Sequence, residues 1–324
     1  MPKILVPYTL PEEGLKPLRE HFEVVYPSDK RAFSAEEILE QIADVDGYLA
    51  INVPVNAETI DAAAKLKIIA NYGVGYDSID VDYATEKGIT VTNTPTAVTE
   101  ATAETAFGLM LSLMRNITYC DRKLRGDRSD FTWGMLQKHT GHSLHGKTLG
   151  IIGMGRIGRA VARRAITFGM RIVYYQRHQL FEHFENEVSA TYLPLNELLE
   201  QADIVSLHTP LTEATHHLLG AEELERMKPG AFLINTARGP VIDEQALIRQ
   251  LQAGKLGGAA LDVFEEEPHI SEELLTMDNV VLTPHIGTET IEARIAMAHE
   301  ATRNLITFFE GKTPPHVVGR PKAS

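Results

Sequence analysis

One cysteine and one tryptophan occur in 324 residues. The lone Cys120 excludes an intrachain disulfide and points to a reducing compartment. Its expected place is a small buried apolar group within a helix, because no neighbouring base would activate it. Positive charge is the second shortage: 31 Lys and Arg stand against 44 Asp and Glu, a net charge of -13. That balance argues against a nucleic-acid partner, and an anionic small molecule would need locally placed arginines. Long apolar runs are also missing, since none approaches the ~20 residues that span a bilayer. The start, Met1 to Val6, reads as a short strand rather than a signal peptide. A cytoplasmic protein with no membrane partner is the expectation. Neither an internal repeat nor a low-complexity tract is present. With 44% hydrophobic residues the chain can bury a large core, and its length favours two domains.

What is there is an alternation of short apolar runs with polar helical stretches. Ile4 to Val6, Val24 to Tyr26, Gly47 to Ile51, Lys67 to Ala70 and Ile89 to Thr92 predict a parallel sheet with helices on its faces. Ser34 and Glu37 form a capping-box pattern before the second helix. The loop Asn71-Tyr72-Gly73-Val74-Gly75-Tyr76-Asp77 sits at a strand's C-terminal end, where consecutive backbone N–H groups can hold an anion or simply turn. Residues 97 to 125 read as one long helix with a broad apolar surface, buried between bodies or against a partner. The following segment, to Gly146, holds Trp133 and three spaced histidines, His139, His142 and His145. No recognised ligand spacing completes a metal site, so solvated loop histidines and no metal are expected.

Thr148 to Ile152 then runs as an apolar strand into Gly153-Met154-Gly155-Arg156-Ile157-Gly158 and a helix. In this setting Gly153 permits the tight turn, Gly155 lets backbone approach a pyrophosphate, and Gly158 lets the helix pack on the strand. The anion would lie at the helix N-terminus, beside Arg156 and Ile157. Further strands near Arg171, Asp203, Ala231, Gly258 and Val280 complete a dinucleotide-binding fold. A last helix, about Ile291 to Phe309, is most economically placed against the first domain, and the tail after Thr313 is read as extended. The expected architecture is α/β: two doubly wound, Rossmann-like parallel-sheet domains, the cofactor domain (101–287) inserted into a discontinuous substrate domain (1–100 and 288–324).

Three later stretches share one position, the C-terminal end of a predicted strand, where open parallel sheets place their sites. They are Asn235-Thr236-Ala237-Arg238-Gly239-Pro240, Leu261-Asp262 through Glu265-Glu266-Glu267-Pro268, and Thr283-Pro284-His285-Ile286-Gly287. Arg238 can pair with a carboxylate through two parallel bonds and polarise a neighbouring carbonyl. His285 can deliver a proton near neutral pH, and a glutamate on its other nitrogen would favour the charged form. Which of the three consecutive glutamates does so is not decided by pattern.

These motifs, with His208-Thr209-Pro210-Leu211-Thr212, resemble those of the D-isomer-specific 2-hydroxyacid dehydrogenases over nearly the whole chain. The resemblance implies that Arg238 binds the substrate carboxylate and carbonyl, that Glu267 orients and charges the histidine, and that His285 is the general acid. It implies a carboxylate cradle at Val74 and Gly75, a carboxamide-binding Asp262 beside the nicotinamide, and cofactor contacts from His208, Pro210, Thr236 and Ala237. Trp133 is similar to a tryptophan that reaches the neighbouring subunit's substrate pocket, which implies a homodimer. The loop at residues 71–77 and the second strand's end are most like those of glyoxylate/hydroxypyruvate reductases and 2-ketogluconate reductases, which implies a small anionic 2-oxo or 2-hydroxy acid as substrate. NAD-specific members end that strand with an acidic residue, and here Gln176 and Arg177 follow it. The missing carboxylate and the added arginine favour NADP over NAD. A dinucleotide-sensing corepressor on the same fold, which retains the arginine, glutamate and histidine, is the alternative.

Overall fold

The computed structural model describes residues 1–28, 31–51, 53–126 and 139–321. It divides into two compact units, Met1–Val98 with Thr288–Ser324, and Thr99–Gly287. The first begins as β1 (Lys3–Leu5), α1 (Glu12–His21), β2 (Glu23–Val25), α2 (Ala35–Ile42), β3 (Gly47–Ala50), α3 (Ala57–Ala62), β4 (Ile68–Asn71), α4 (Val81–Glu86) and β5 (Thr90–Thr92). The capping box at α2 forms as the sequence predicts: Glu37 N donates to Ser34 Oγ at 3.3 Å while Ser34 N donates to Glu37 Oε2 at 2.8 Å.

The second unit contains α5 (Thr99–Met114), α6 (Ile117–Arg125), β6 (Thr148–Ile152), α7 (Arg156–Thr167), β7 (Arg171–Tyr175), α8 (Glu182–Glu187), β8 (Ala190–Tyr192) and α9 (Leu195–Gln201). It continues through β9 (Ile204–Leu207), α10 (Ala221–Arg226), β10 (Phe232–Asn235), α11 (Glu244–Gln252), β11 (Gly258–Leu261), α12 (Glu272–Thr276) and β12 (Val280–Leu282). The chain then returns to the first unit with α13 (Ile291–Phe309) and β13 (Val317–Gly319).

In the second unit every strand pair is parallel and the order is β12-β11-β10-β9-β6-β7-β8, so the order reverses between β6 and β9. That switch point is where a doubly wound sheet binds its ligand, outside the strands' C-terminal ends. One face of the sheet packs on α5 and α7 through Phe107, Met110, Met114, Val161 and Ala165, and the other on α9 to α11 through Leu198, Leu224 and Leu247. The first unit's sheet runs β13-β5-β4-β3-β1-β2, the other common doubly wound order, with one departure from the all-parallel expectation. The tail strand β13 adds antiparallel to the edge strand β5, pairing Val317 with Thr92 and giving the unpaired edge a partner.

The expected single helix over 97–125 is two helices. Asn116 adopts φ 53, the left-handed conformation that asparagine tolerates better than most residues. The carbonyl of Met114, which a continuous helix would bond to residue 118, instead accepts the His142 N–H at 2.6 Å, and Asn116 Nδ2 donates to Thr140 O at 3.2 Å. Cys120 is half-buried, not buried, because α6 turns none of its side chains fully inward. His142 packs edge-on against Phe232, with ring centroids 5.3 Å apart, and so is not simply solvated. Among the described residues no group of three His, Cys, Asp or Glu could hold a metal, and no helix is long and apolar enough to cross a membrane.

Helix α13 seats on α1 and β4 within the first unit. The closest approach uses Gly14: a Cβ built there would lie 2.7 Å from Ala298 Cβ. Gly to Ala inside a helix ordinarily gains roughly 0.5–1 kcal/mol, whereas overpacking costs about 1–3 kcal/mol. Gly14→Ala is therefore expected to lower the melting temperature, and Gly14→Ala with Ala298→Gly to recover most of the loss. A thermal melt in which the single variant gains stability would show that α1 and α13 are not in this contact.

Candidate active site

The G-x-G-x-x-G turn joins β6 to α7 with the geometry its glycines require. Gly153 sits at φ 96, and a Cβ there would lie 2.5 Å from His208 O, because β9 ends directly alongside. Gly155 caps α7, and around it the position of a Cβ is open, with no atom within 4 Å. A Cβ on Gly158 would come within 2.3 Å of Gly153 O, so this position holds helix and turn together. Arg156 is exposed and Ile157 half-buried at the first turn.

Two buried polar atoms at neighbouring strand ends, His208 Nδ1 and Thr236 Oγ1, have no hydrogen-bond partner among the described residues. Buried polar atoms ordinarily find partners, so these two remain open to one. Together with the open space at Gly155 and the N–H groups of a twelve-residue helix, they fit a dinucleotide. Pro210 is exposed and Ala237 is buried, its N–H held by Asn235 Oδ1 at 3.0 Å. After β7, Gln176 is half-buried and spends its amide on His178 O at 2.7 Å, while Arg177 is exposed. Residues 176–180, directly after this strand, include no Asp or Glu.

Arg238, Asp262, Glu267 and His285 follow β10, β11 and β12, three adjacent strands of one sheet. Asn235, 1% exposed, shapes the first turn by donating through Nδ2 to Arg238 O at 2.9 Å. Arg238 itself is half-buried, with Nη1 on Ala237 O at 2.7 Å. The next residue, Gly239, lies against the backbone of the second loop: a Cβ there would be 1.8 Å from Phe264 O.

Asp262 organises the third loop. Its carboxylate, 1% exposed, accepts from Thr283 Oγ1 at 2.6 Å, from Ile286 N at 2.8 Å and from Gly287 N at 2.8 Å. These bonds hold the turn on which His285 adopts φ 54, a left-handed conformation that such anchoring can sustain. Burial pushes the Asp262 carboxyl up, and the three bonds and the nearby His285 only partly oppose it. Glu267 moves the other way: burial raises it, but the His285 hydrogen bond and charge, the Phe264 N–H and the Arg238 charge outweigh that and lower it. Glu267 Oε2 meets His285 Nδ1 at 2.8 Å, and Oε1 accepts from Phe264 N at 3.0 Å. Of the three consecutive glutamates, it is Glu267 that reaches the histidine, while Glu265 pairs with His217.

Val74 and Gly75 belong to the first unit, on the loop after β4. The carbonyls of this loop are drawn inward: Asn71 Nδ2 donates to Gly73 O at 2.9 Å and Gly75 O at 2.7 Å, and Asn93 Nδ2 donates to Val74 O at 2.8 Å. Asn304 of α13 in turn holds Asn93 O at 3.0 Å. With the carbonyls taken, the loop is left to present its N–H groups, the arrangement of an anion nest. Asn93 and Asn304 were not evident as site residues, since Asn93 reaches the loop from 19 positions away and Asn304 holds Asn93 across 211. Trp133 lies outside the described residues.

Burial of the His208 ring pushes its pKa from 6.5 down to about 4. The unfolded chain therefore takes up this proton first as pH falls. The stability contributed by the neutral ring is complete above pH 6.5 and is lost as pH drops toward about 4. His208→Gln is expected to flatten the fall in melting temperature across that window by several degrees, measured without cofactor; parallel curves for the two proteins would contradict this assignment.

A family model described as the D-isomer specific 2-hydroxyacid dehydrogenase, NAD binding domain, matches residues 107–287. A glyoxylate reductase of Thermococcus onnurineus is 47% identical over 323 residues, covering 98% of this chain and 96% of that protein. The crystal structure of a glyoxylate reductase from Paecilomyes thermophila superposes with a TM-score of 0.87 at 37% identity, covering 98% of both chains. An NADPH-dependent glyoxylate/hydroxypyruvate reductase from Sinorhizobium meliloti, solved with NADP and malonate, gives a TM-score of 0.85 at 35% identity, over 100% of this chain and 99% of the other. Two doubly wound sheets, a glycine turn shaped for a dinucleotide and full-length relatives thus agree: the chain belongs to the D-isomer specific 2-hydroxyacid dehydrogenase family and is an oxidoreductase.

Proposed function

We propose that this enzyme reduces a small 2-oxo acid of the glyoxylate or hydroxypyruvate type to the D-2-hydroxy acid, with NADPH preferred over NADH. The observation that carries the reading is the 2.8 Å contact between His285 Nδ1 and Glu267 Oε2, beside Arg238, in a chain 47% identical to a glyoxylate reductase. The unit built from Thr99–Gly287 is read as the dinucleotide domain and the other as the substrate domain. Gly153, Gly155, Arg156, Ile157 and Gly158 would hold the pyrophosphate, and His208, Pro210, Thr236, Ala237 and Asp262 the nicotinamide end. The reduced nicotinamide supplies the hydride.

The residues of the chain then have separable tasks. Arg238 pairs with the substrate carboxylate and draws electron density from the adjacent carbonyl. On the first unit, the loop of Val74 and Gly75 offers backbone N–H groups suited to an anion. Glu267 takes the Nδ1–H of His285, which leaves Nε2 to deliver a proton to the carbonyl oxygen as negative charge develops there. Glu267 itself stays ionised at neutral pH, because its pKa is lowered rather than raised. Asp262 fixes the turn that aims the imidazole. The exposed Ile117 and Leu124 of α6 support a homodimer built through that helix and the segment that follows it.

Following NADPH absorbance with glyoxylate, hydroxypyruvate, pyruvate and 2-keto-D-gluconate tests the reading and ranks substrates. Arg238→Ala is expected to lower kcat/KM on the best of them by at least about 100-fold, since stranding one partner of a desolvated charge pair costs about 3–5 kcal/mol. Unaltered kinetics would remove Arg238 from the site. Gln176→Asp with Arg177→Ala should shift the kcat/KM ratio of NADPH to NADH toward NADH by about tenfold or more, as a carboxylate replaces a cation near a 2′-phosphate. Wild-type enzyme that already prefers NADH would refute the NADPH preference.

A further inference from the structure

The loop carrying Glu267 is clasped by residues that take no part in the mechanism above. Glu265 N donates to Glu244 Oε2 at 3.2 Å, and Glu244 N donates to Glu265 Oε2 at 3.0 Å, a reciprocal pair of backbone-to-carboxylate bonds at the N-terminus of α11. Glu244 is 8% exposed, and its other oxygen accepts from Ser271 Oγ at 2.5 Å. The remaining oxygen of Glu265, Oε1, meets His217 Nε2 at 2.5 Å.

His217 has φ 49, and its ring stacks on His216 with centroids 4.1 Å apart. Its backbone N–H donates to Pro240 O at 2.8 Å, two residues beyond Arg238. The bonds Leu219 N to Val241 O and Asp243 N to Leu219 O, each 3.1 Å, extend that junction. One residue therefore bonds two loops at once: the arginine's through its main chain, and the glutamate's through its imidazole. These two loops already touch at Gly239 and Phe264, and Phe264 N is the donor that holds Glu267 Oε1. A displaced Glu265 would move the peptide of residues 264–265 and, with it, the carboxylate facing His285.

We infer that His217, acting through Glu265, is a positioning residue for the proton transfer: it keeps the Glu267 loop seated against the Arg238 loop so that Glu267 meets His285. The inference rests on the reading of His285 as general acid. Its effect falls on the chemical step and not on binding, because the side chain of His217 is spent on Glu265, the neighbour of the carboxylate loop, and its backbone on Pro240 O. An imidazole with hydrogen on Nε2 donates to Glu265 in either charge state, so a glutamine amide of similar reach can replace it and a leucine cannot.

His217→Leu is expected to lower kcat for the best 2-oxo acid by about tenfold, the scale on which small misplacements reduce rates. KM for that acid and the Kd for NADPH from fluorescence titration should stay within about twofold of wild type. His217→Gln should recover kcat to within about twofold. Rates are normalised to NADPH-binding stoichiometry, so a poorly folded fraction does not count. Glu265→Gln provides a second arm: combined with His217→Leu, it should lose little more than the larger single loss, since both changes break one contact. Wild-type kcat in His217→Leu, equal losses in the Leu and Gln variants, or additive losses in the pair would each overturn the assignment. An unmodified enzyme that turns over none of the 2-oxo acids would overturn the reductase reading, and this inference with it.

Discussion

A buried carboxylate governs the geometry of the site. Asp262 is 1% exposed, and removing a carboxylate from water costs several kcal/mol unless its lone pairs are filled. Thr283, Ile286 and Gly287 fill them, and all three donors lie on the turn after β12. The requirement to satisfy Asp262 therefore dictates where the β12 turn goes, and the turn dictates where His285 goes. Glu267 is also raised by burial, but the His285 hydrogen bond and charge, the Phe264 N–H and the Arg238 charge outweigh it, so its pKa falls while that of Asp262 rises. One carboxylate is an anchor whose ionisation is costly, the other a group held toward its charged form by its neighbours.

The sequence displayed most of the frame. Strands β7, β11 and β12 and helix α13 have the limits that their apolar runs and flanking residues predict, because each is bounded by a glycine, a proline or a cap. The break at Asn116 was not visible, because it depends on a carbonyl captured by His142, 28 positions away in the chain. β8 has only three residues, Ala190–Tyr192, too few to show a period, and it forms because β7 offers an edge. The tail was read as extended, and its antiparallel pairing with β5 is a matter of tertiary docking that no local pattern records.

The site was legible to different depths. Arg238 and His285 follow from the rule that parallel sheets place chemistry at strand ends. Choosing Glu267 among three consecutive glutamates required the family resemblance, because residues 265 to 267 are equivalent in composition and differ only in what their side chains meet. His217, Glu244, Asn93 and Asn304 carried no signal at all. Each does its work through hydrogen bonds spanning 19 to 211 positions, and an isolated polar residue in a sequence looks the same whether it is solvated or holds a loop. The acidic composition adds a further constraint: with a net charge of -13, an anionic ligand is repelled at long range, so its affinity has to come from locally placed cations and backbone N–H groups.

The contact between Gly239 and Phe264 limits how this enzyme can diversify. Not even a methyl group can enter at residue 239, since it would overlap a peptide carbonyl that belongs to the neighbouring catalytic loop. The residue beside Arg238 is thus closed to any side chain at all, and the two loops can vary only at other positions. Variation is left to the opposite kind of position, side chains that point outward from well-anchored backbone. Val74 and Tyr76 are of this kind, at 36% and 41% exposure on a loop whose carbonyls are pinned by Asn71 and Asn93. Changes to those side chains would leave the pinned backbone of the loop in place.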